Sequence, residues 1–292
     1  MLVGAPLLWS LHIVGSRYAL TNGFLPLPFL VLRFTAAAIA FALVTLALER
    51  TLRVDGRSDR VLLCVATGLF TANQIAFVYG LRFTSAVTIA LVLGLIPTLV
   101  SIFSAAVGME RLTGRIVLAS AVSSVGVALV VVGIPGGVSK LSGGPGSILV
   151  ALAIPVTYAI FMVAITPPMR RSTPYRINAL LLLGTAVTLL VVGGPTLGDQ
   201  DLGDPDALSW LSVAFSVVGA LLLANVLWFT AIERVGPSRA SFFSNLQPFA
   251  AALLATVLLD EPITLVQIAG GAAIAAGILV SRRRETPVAV IE

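Results

Sequence analysis

The sequence predicts an all-α integral membrane protein with ten transmembrane helices in two inverted five-helix repeats. Composition is the first observation: of 292 residues, 58% are hydrophobic and 11% charged, and mean hydropathy is +1.05. A soluble domain carries roughly 25% charged residues, so this chain has too little polar surface for a water-exposed fold. The second observation is an internal echo. Pro97, Glu110, Thr113 and Gly126 recur as Pro248, Glu261, Thr264 and Gly277, each 151 residues further on. The third is the placement of basic residues, which gather in alternate loops.

Apolar runs cover roughly 2–21, 29–48, 61–81, 84–107, 116–134, 147–166, 177–194, 209–232, 238–259 and 263–281. A span of the hydrocarbon core needs about 20 mostly apolar residues. Inside lipid a segment must satisfy its own backbone groups, so each run reads as a helix. The opening run has no basic stretch before it and no small-residue cleavage pattern after it. It reads as the first span and not as a removed signal. Gly and Pro clusters punctuate the runs, among them Pro26 and Pro28, Pro135-Gly136-Gly137, Pro167-Pro168 and Gly193-Gly194-Pro195. The first repeat is then 1–134, a connecting loop 135–146, the second repeat 147–281 and a tail 282–292. Five spans is an odd number, so the second repeat enters the bilayer upside down. Inverted repeats of this kind build carriers that alternate access around a central site.

Orientation follows from Lys and Arg in the short loops. With the N-terminus in the cytoplasm, fourteen basic residues face inward: Arg50, Arg53, Arg57, Arg60, Arg111, Arg115, Arg170, Arg171, Arg176, Arg234, Arg239 and Arg282 to Arg284. Three face outward, Arg17, Arg82 and Lys140, while Arg33 lies within a span. The expectation is a multi-pass plasma-membrane protein with both termini cytoplasmic. The acidic stretch of Asp199, Asp201, Asp204 and Asp206 then lies outside.

Several classes fall away. The net charge of +5 is spread over loops between spans, with no basic groove or stacking surface for nucleic acid. The single Cys64 excludes an internal disulfide and reads as a packing residue. No P-loop is present, so ATP does not drive the protein. No cofactor or metal is implied. One His and no mid-membrane acid also argue against an integral-membrane enzyme.

Polar groups in mid-membrane are expensive, and they face a cavity or a partner helix. In span 1, Trp9, His12 and Ser16 share a face by their spacing. His12, the only histidine, could bind a carboxylate, relay a proton, or bond a neighbouring helix. In span 3, Asn73 and Phe77 share a face with Gln74 beside it; Asn225 and Phe229 match them 152 residues on, with Trp228 adjacent. These amides either line a cavity or join helices. Pro6 and Trp9 correspond to Pro155 and Tyr158 at a shift of 149. In span 9, Ser241, Asn245 and Pro248 share a face, with Ser244 and Gln247 beside it; Thr88, Leu91, Leu95 and Thr98 form the comparable face of span 4. Arg33 could attract an anion or snorkel outward. Pro97 and Pro248 remove a backbone donor inside spans 4 and 9. They are either matched hinges beside a site or tolerated bends. Gly126, Gly270, Gly271 and Gly277 suit spans 5 and 10 to close packing, within the chain or in a homodimer.

Other local pieces point to one family. They are Leu7-Leu8-Trp9, Leu32-Arg33-Phe34, Leu81-Arg82-Phe83-Thr84-Ser85-Ala86 and Glu110-Arg111-Leu112-Thr113 in the first half. The second half adds Arg234-Val235-Gly236-Pro237-Ser238-Arg239-Ala240, Gln247-Pro248 and Asp260-Glu261-Pro262-Ile263-Thr264. In this ordered set the chain resembles the EamA branch of the drug/metabolite transporter superfamily. The resemblance implies a central cavity lined by spans 1–4 and 6–9, peripheral spans 5 and 10, and a small-molecule exporter. Aromatic and amide lining suits an amino-acid-like zwitterion. Sugar-nucleotide or phosphate-ester exchange is the alternative within the superfamily. The expected substrate-binding set is Trp9, His12, Asn73, Gln74, Phe77, Tyr158, Asn225, Trp228, Asn245 and Gln247.

Overall fold

The computed structural model describes residues 2–83, 89, 92–133, 145–250, 253 and 263–282. Their regular structure is helical throughout. The helices are α1 (Gly4–Thr21), α2 (Pro26–Glu49), α3 (Arg57–Phe83), α4 (Ile96–Ala106), α5 (Gly114–Val132), α6 (Pro145–Arg171), α7 (Pro174–Gly193), α8 (Ala207–Val235), α9 (Pro237–Ser244) and α10 (Leu265–Arg282). Six of the described helices are long and apolar enough to cross a bilayer. Residues 135–144 of the connecting loop, Thr84 to Thr88, Leu91, Asp260 to Pro262 and the tail from 283 lie outside the described residues.

Local chemistry sets the helix ends. Proline occupies the first turn of α2, α7 and α9, where the missing N–H costs nothing. Side chains cap the starts of α5, α7 and α8: Thr113 accepts from the Ile116 N–H, Thr173 from Arg176 and Asp206 from Ser209. Helix α6 differs from the sequence reading, which ended it at 166. It runs through Pro167 and Pro168 to Arg171. These prolines fall in its last turns, where they remove the donors toward the Val163 and Ala164 carbonyls.

The most extensive contacts pair α5 with α10, α3 with α6, α2 with α7 and α1 with α8, and α4 packs on α9 as well as on α6. Moving every helix number by five leaves the α5–α10, α3–α6, α2–α7, α1–α8 and α4–α9 pairs unchanged as a set. Helices α5 and α10 run antiparallel: Ala119 meets Gly277, Gly126 meets Gly270, and Gly133 meets Gln267. Helices α2 and α7 do the same, with Gly193 against Leu27 and Val31 and Thr45 bonded to the Tyr175 carbonyl. A Cβ at Gly126 would stand 2.8 Å from the Gly270 oxygen, and one at Gly270 would stand 2.7 Å from the Gly126 oxygen. The glycines that suggested a homodimer through helices 5 and 10 are thus spent on a contact inside one chain.

The flanks carry apolar side chains outward, among them Leu43, Val65, Val187, Val191, Leu223 and Leu279. Cys64 is exposed on the same kind of surface. It is not the packing residue the sequence suggested, because lipid-facing and protein-facing positions are equally apolar. One end of the bundle gathers arginines. There Arg171 pairs with Asp59 at 2.8 Å, Arg176 pairs with Glu49, and a cavity of about 640 Å³ is lined by Arg111, Arg170, Arg234 and Arg239 with Glu110 and Glu233. At the opposite end Gln200 bonds the Leu25 N–H and the Gly23 carbonyl, and Tyr18 bonds Asp206.

Candidate functional site

A cavity of about 110 Å³ lies at the centre of the bundle. Helix α1 supplies Trp9 and His12, α2 supplies Arg33, and α3 supplies Asn73, Gln74 and Phe77. Tyr158 comes from α6, Asn225 and Trp228 from α8, and Gln247 from the helical stretch 246–250 that follows the turn beyond α9. Nine of the ten substrate-binding candidates therefore stand around one space. Asn245 does not. It is 1% exposed, and its amide donates to Ser123 Oγ on α5 at 2.7 Å. Asn245 turns to helix α5, while Ser244 and Gln247 beside it line the cavity.

The walls are mainly apolar and aromatic. Trp9 and Trp228 meet edge to face with centroids 5.0 Å apart, a favourable arrangement for two quadrupoles. Phe70, Ile96, Ile154 and Phe161 are part of the wall. No sequence signal marked these, since an apolar residue in a membrane span looks the same wherever it points.

A polar chain crosses the cavity from α1 to α6. Arg33 is 2% exposed, with its guanidinium 4.8 Å from the Phe34 ring centroid and 5.4 Å from that of Phe29. It does not snorkel outward: both of its terminal nitrogens are engaged by partners inside the bundle. Nη1 donates to His12 Nε2 at 2.6 Å and to Ser216 Oγ at 3.3 Å, and Nη2 donates to Gln74 Oε1. A guanidinium has no acceptor, so His12 Nε2 must accept. The ring hydrogen then sits on Nδ1, 3.0 Å from Ser16 Oγ. Gln74 Nε2 donates to Asn73 Oδ1, and Asn73 Nδ2 donates to the Ile154 carbonyl at 2.7 Å. Asn73 thus both lines the cavity and joins α3 to α6. Asn225 likewise lines the cavity and donates to Asn178 on α7 at 3.1 Å.

Ser216 escaped sequence reasoning. It opens a stretch of wide turns, Ser216–Ala224, inside α8. Such turns shift the register of one face and occur often at functional sites. Here the Ala220 carbonyl accepts from the Trp9 indole at 3.4 Å and the Leu221 carbonyl accepts from Asn178 at 3.3 Å. Composition alone gives no sign of this register change.

Pro97 and Pro248 each follow a cavity-lining residue in sequence, Ile96 and Gln247. A turn at Gly94–Leu95 interrupts the chain before Pro97, and a turn at Asn245 does so before Pro248. Proline withdraws the donor that would bond the carbonyl four residues back. Those residues are Leu93 and Ser244, and both line the cavity.

The sequence model of the EamA-like transporter family matches residues 1–132 and 145–283. The chain belongs to the EamA-like transporter family. It is a multi-pass membrane transporter. Two relatives come from Bacillus subtilis. The uncharacterized transporter YyaM is 27% identical over 250 residues, which cover 85% of this chain and 81% of the relative. The uncharacterized transporter YetK is 23% identical over 260 residues, covering 86% and 76%. An uncharacterized transporter of Archaeoglobus fulgidus is 28% identical over 236 residues, covering 80% of each chain. A solved crystal structure shares the fold with a TM-score of 0.78 at 20% identity, over 96% of this chain and 95% of that one. The two matched segments leave residues 133–144 between them.

Proposed function

We propose that the chain is a ten-span secondary transporter that exports small, amino-acid-like metabolites by alternating access. Its repeats are 1–134 and 147–281, joined by 135–146 and followed by a cytoplasmic tail, 282–292. One observation carries the reading: equivalent helices of the two halves, α2 with α7 and α5 with α10, pack antiparallel, and both halves supply residues to the central cavity. A two-fold axis in the membrane plane relates inverted repeats and requires that arrangement. The cavity draws on matched positions of both halves, Asn73 with Asn225, Trp9 with Tyr158 and Leu93 with Ser244. A space of about 110 Å³ is smaller than the roughly 300–1,000 Å³ of ligand sites. It corresponds to a contracted state that widens on one side at a time. A phosphate-bearing cargo would call for several cavity cations; the described lining offers Arg33. Export is the direction that the family resemblance implies.

The test is efflux of labelled metabolites from vesicles holding the purified chain, beside protein-free vesicles. Cargo-specific efflux without ATP is expected. Leakage equal to that of the protein-free control sinks the transport reading. Reporters fused after Glu292 and inserted at Asp201 should lie in the cytoplasm and outside, respectively. Both on one side would remove the inverted topology.

A further inference from the structure

We propose that Arg33 is the anchor for a carboxylate group on the cargo, so that the transported class is small organic acids and amino acids. This rests on the transport reading above and names the chemistry of its site. Arg33 is buried, lines the cavity, and makes no ion pair among the described residues. Its partners, His12, Gln74 and Ser216, are all neutral acceptors when His12 accepts at Nε2. Its buried Nε has no partner. A buried charge is stable only when paired and hydrogen-bonded, and a guanidinium presents adjacent donors in a planar fork that a carboxylate fills with two bonds. The described cavity lining contains no Asp or Glu to serve as that counter-ion. The cargo itself supplies it.

The neighbours fit this assignment. Phe29 and Phe34 present ring faces to the guanidinium, which hold a cation in place without neutralising it. Gln74 and His12 orient the fork from two sides and make room by rotating when the carboxylate arrives. The remaining lining is apolar or aromatic and suits a short hydrocarbon part. An apolar cavity of about 150 Å³ holds benzene, so a space of about 110 Å³ points to a cargo of three or four carbons in this state. The amino group of an amino acid would face Trp9, Tyr158 and Trp228, where cation–π attraction is available.

Trp9 and Trp228 make the cavity its own sensor. The purified full chain in detergent is titrated with propionate, with L-alanine and with propionamide, following tryptophan fluorescence. Propionamide matches propionate in shape and lacks the charge. The inference expects saturable quenching by at least one of the two carboxylates and none by propionamide at the same concentrations. Arg33→Gln should weaken carboxylate binding by at least about tenfold, the lower bound for losing a charge-assisted hydrogen bond, and Arg33→Lys should weaken it less. Equal binding of propionamide, absence of saturable quenching by either carboxylate, or unchanged affinity in Arg33→Gln overturns the anchor. The comparison of probes on the unaltered chain decides the matter even where Arg33→Gln does not fold. Carboxylate binding that depends on Arg33 without flux in vesicles would instead overturn the transport reading and leave the anchor standing.

Discussion

Tyr18 donates its phenolic hydrogen to Asp206 Oδ2 at 2.6 Å, closing the end of the bundle opposite the arginine cluster. The arginine end has a counterpart, Arg171 Nη1 on Asp59 Oδ1 at 2.8 Å. Both acids stand at the start of equivalent helices, α3 and α8. Both partners stand near the end of equivalent helices, α6 and α1. Each clasp therefore ties the same kind of helix pair, one at each end of the molecule. A carrier that opens one side at a time must release one clasp while keeping the other. Tyr18→Phe removes one donor and leaves Asp206 capping Ser209, so the helix itself should persist. A cysteine placed at Ile13, which lines the cavity, in a Cys64→Ala background reports access. A water-soluble maleimide added from outside should label it faster in Tyr18→Phe. The gain should be modest, because a water-exposed polar pair is weak. Unchanged labelling would reduce the clasp to a surface contact.

The same clasp responds to acid in a definite sense. The Tyr18 hydroxyl, followed by the Ser209 side chain and backbone, holds the Asp206 carboxyl below its ordinary pKa. A depressed folded pKa means that the bond contributes fully above the unfolded value and is lost as pH falls through the folded one. The clasp is thus intact at neutral pH and loosens only in acid. Trp210 packs edge to face on Phe24 at 5.1 Å beside it. Its fluorescence in a Trp9→Phe, Trp228→Phe background should show an acid transition, and Tyr18→Phe should move that transition to higher pH. A transition at the same pH in both would remove Tyr18 as the main cause.

Backbone contact between α5 and α10 makes Gly126 intolerant of any side chain. Its Cβ would lie 2.8 Å from the Gly270 oxygen and 2.8 Å from the Ile274 nitrogen, and neither backbone atom can swing aside. Gly126→Ala should destabilise by about 1–3 kcal/mol, the usual cost of overpacking. Gly68 lies within α3, and a methyl group added there would meet nothing within 4 Å. Gly68→Ala should be neutral or raise stability by up to about 1 kcal/mol through helix propensity. Thermal unfolding of the two variants in one detergent compares them directly. Equal melting temperatures would show that α5 and α10 part easily.

Much of the fold was legible because lipid imposes simple rules. Run length and the absence of charge located α1, α2, α5, α7, α8 and α10 to within a few residues. The helical face of Trp9 and His12 and the echo of Asn73 in Asn225 carried the cavity. What escaped depended on register and on neighbours. The wide turns at Ser216 shift one face of α8 without altering its composition. Asn245 meets Ser123 while Ser244 and Gln247 beside it take the cavity side. Arg33 has the sequence position of a snorkelling arginine, and only the approach of His12, Gln74 and two phenylalanine rings explains why it stays inside. Partners on other helices decide such cases, and a single helix does not display them.

Ser123 and Ser124 bring one turn of α5 against both interrupted helices. Ser124 Oγ donates to the Gly94 carbonyl at 3.1 Å, and Asn245 Nδ2 donates to Ser123 Oγ. Gly94 and Asn245 are 151 residues apart, each three residues before its proline. The breaks are thus held in place by α5 rather than left as loose bends. Pro97→Ala and Pro248→Ala would each restore a backbone donor, toward Leu93 and Ser244, and favour a straight helix through the cavity wall. One such bond stabilises by about 0.5–1.5 kcal/mol. If the straight helix must break again for the cavity to change sides, flux should slow by roughly two- to tenfold per proline. Insertion should persist, since a continuous helix is also stable in lipid. Flux in vesicles, normalised to incorporated protein, measures the effect. The double replacement should be slower than either single one, because the two breaks serve opposite halves. Flux in the double replacement equal to that of the parent chain would leave the prolines a packing role and their symmetry without a mechanical purpose.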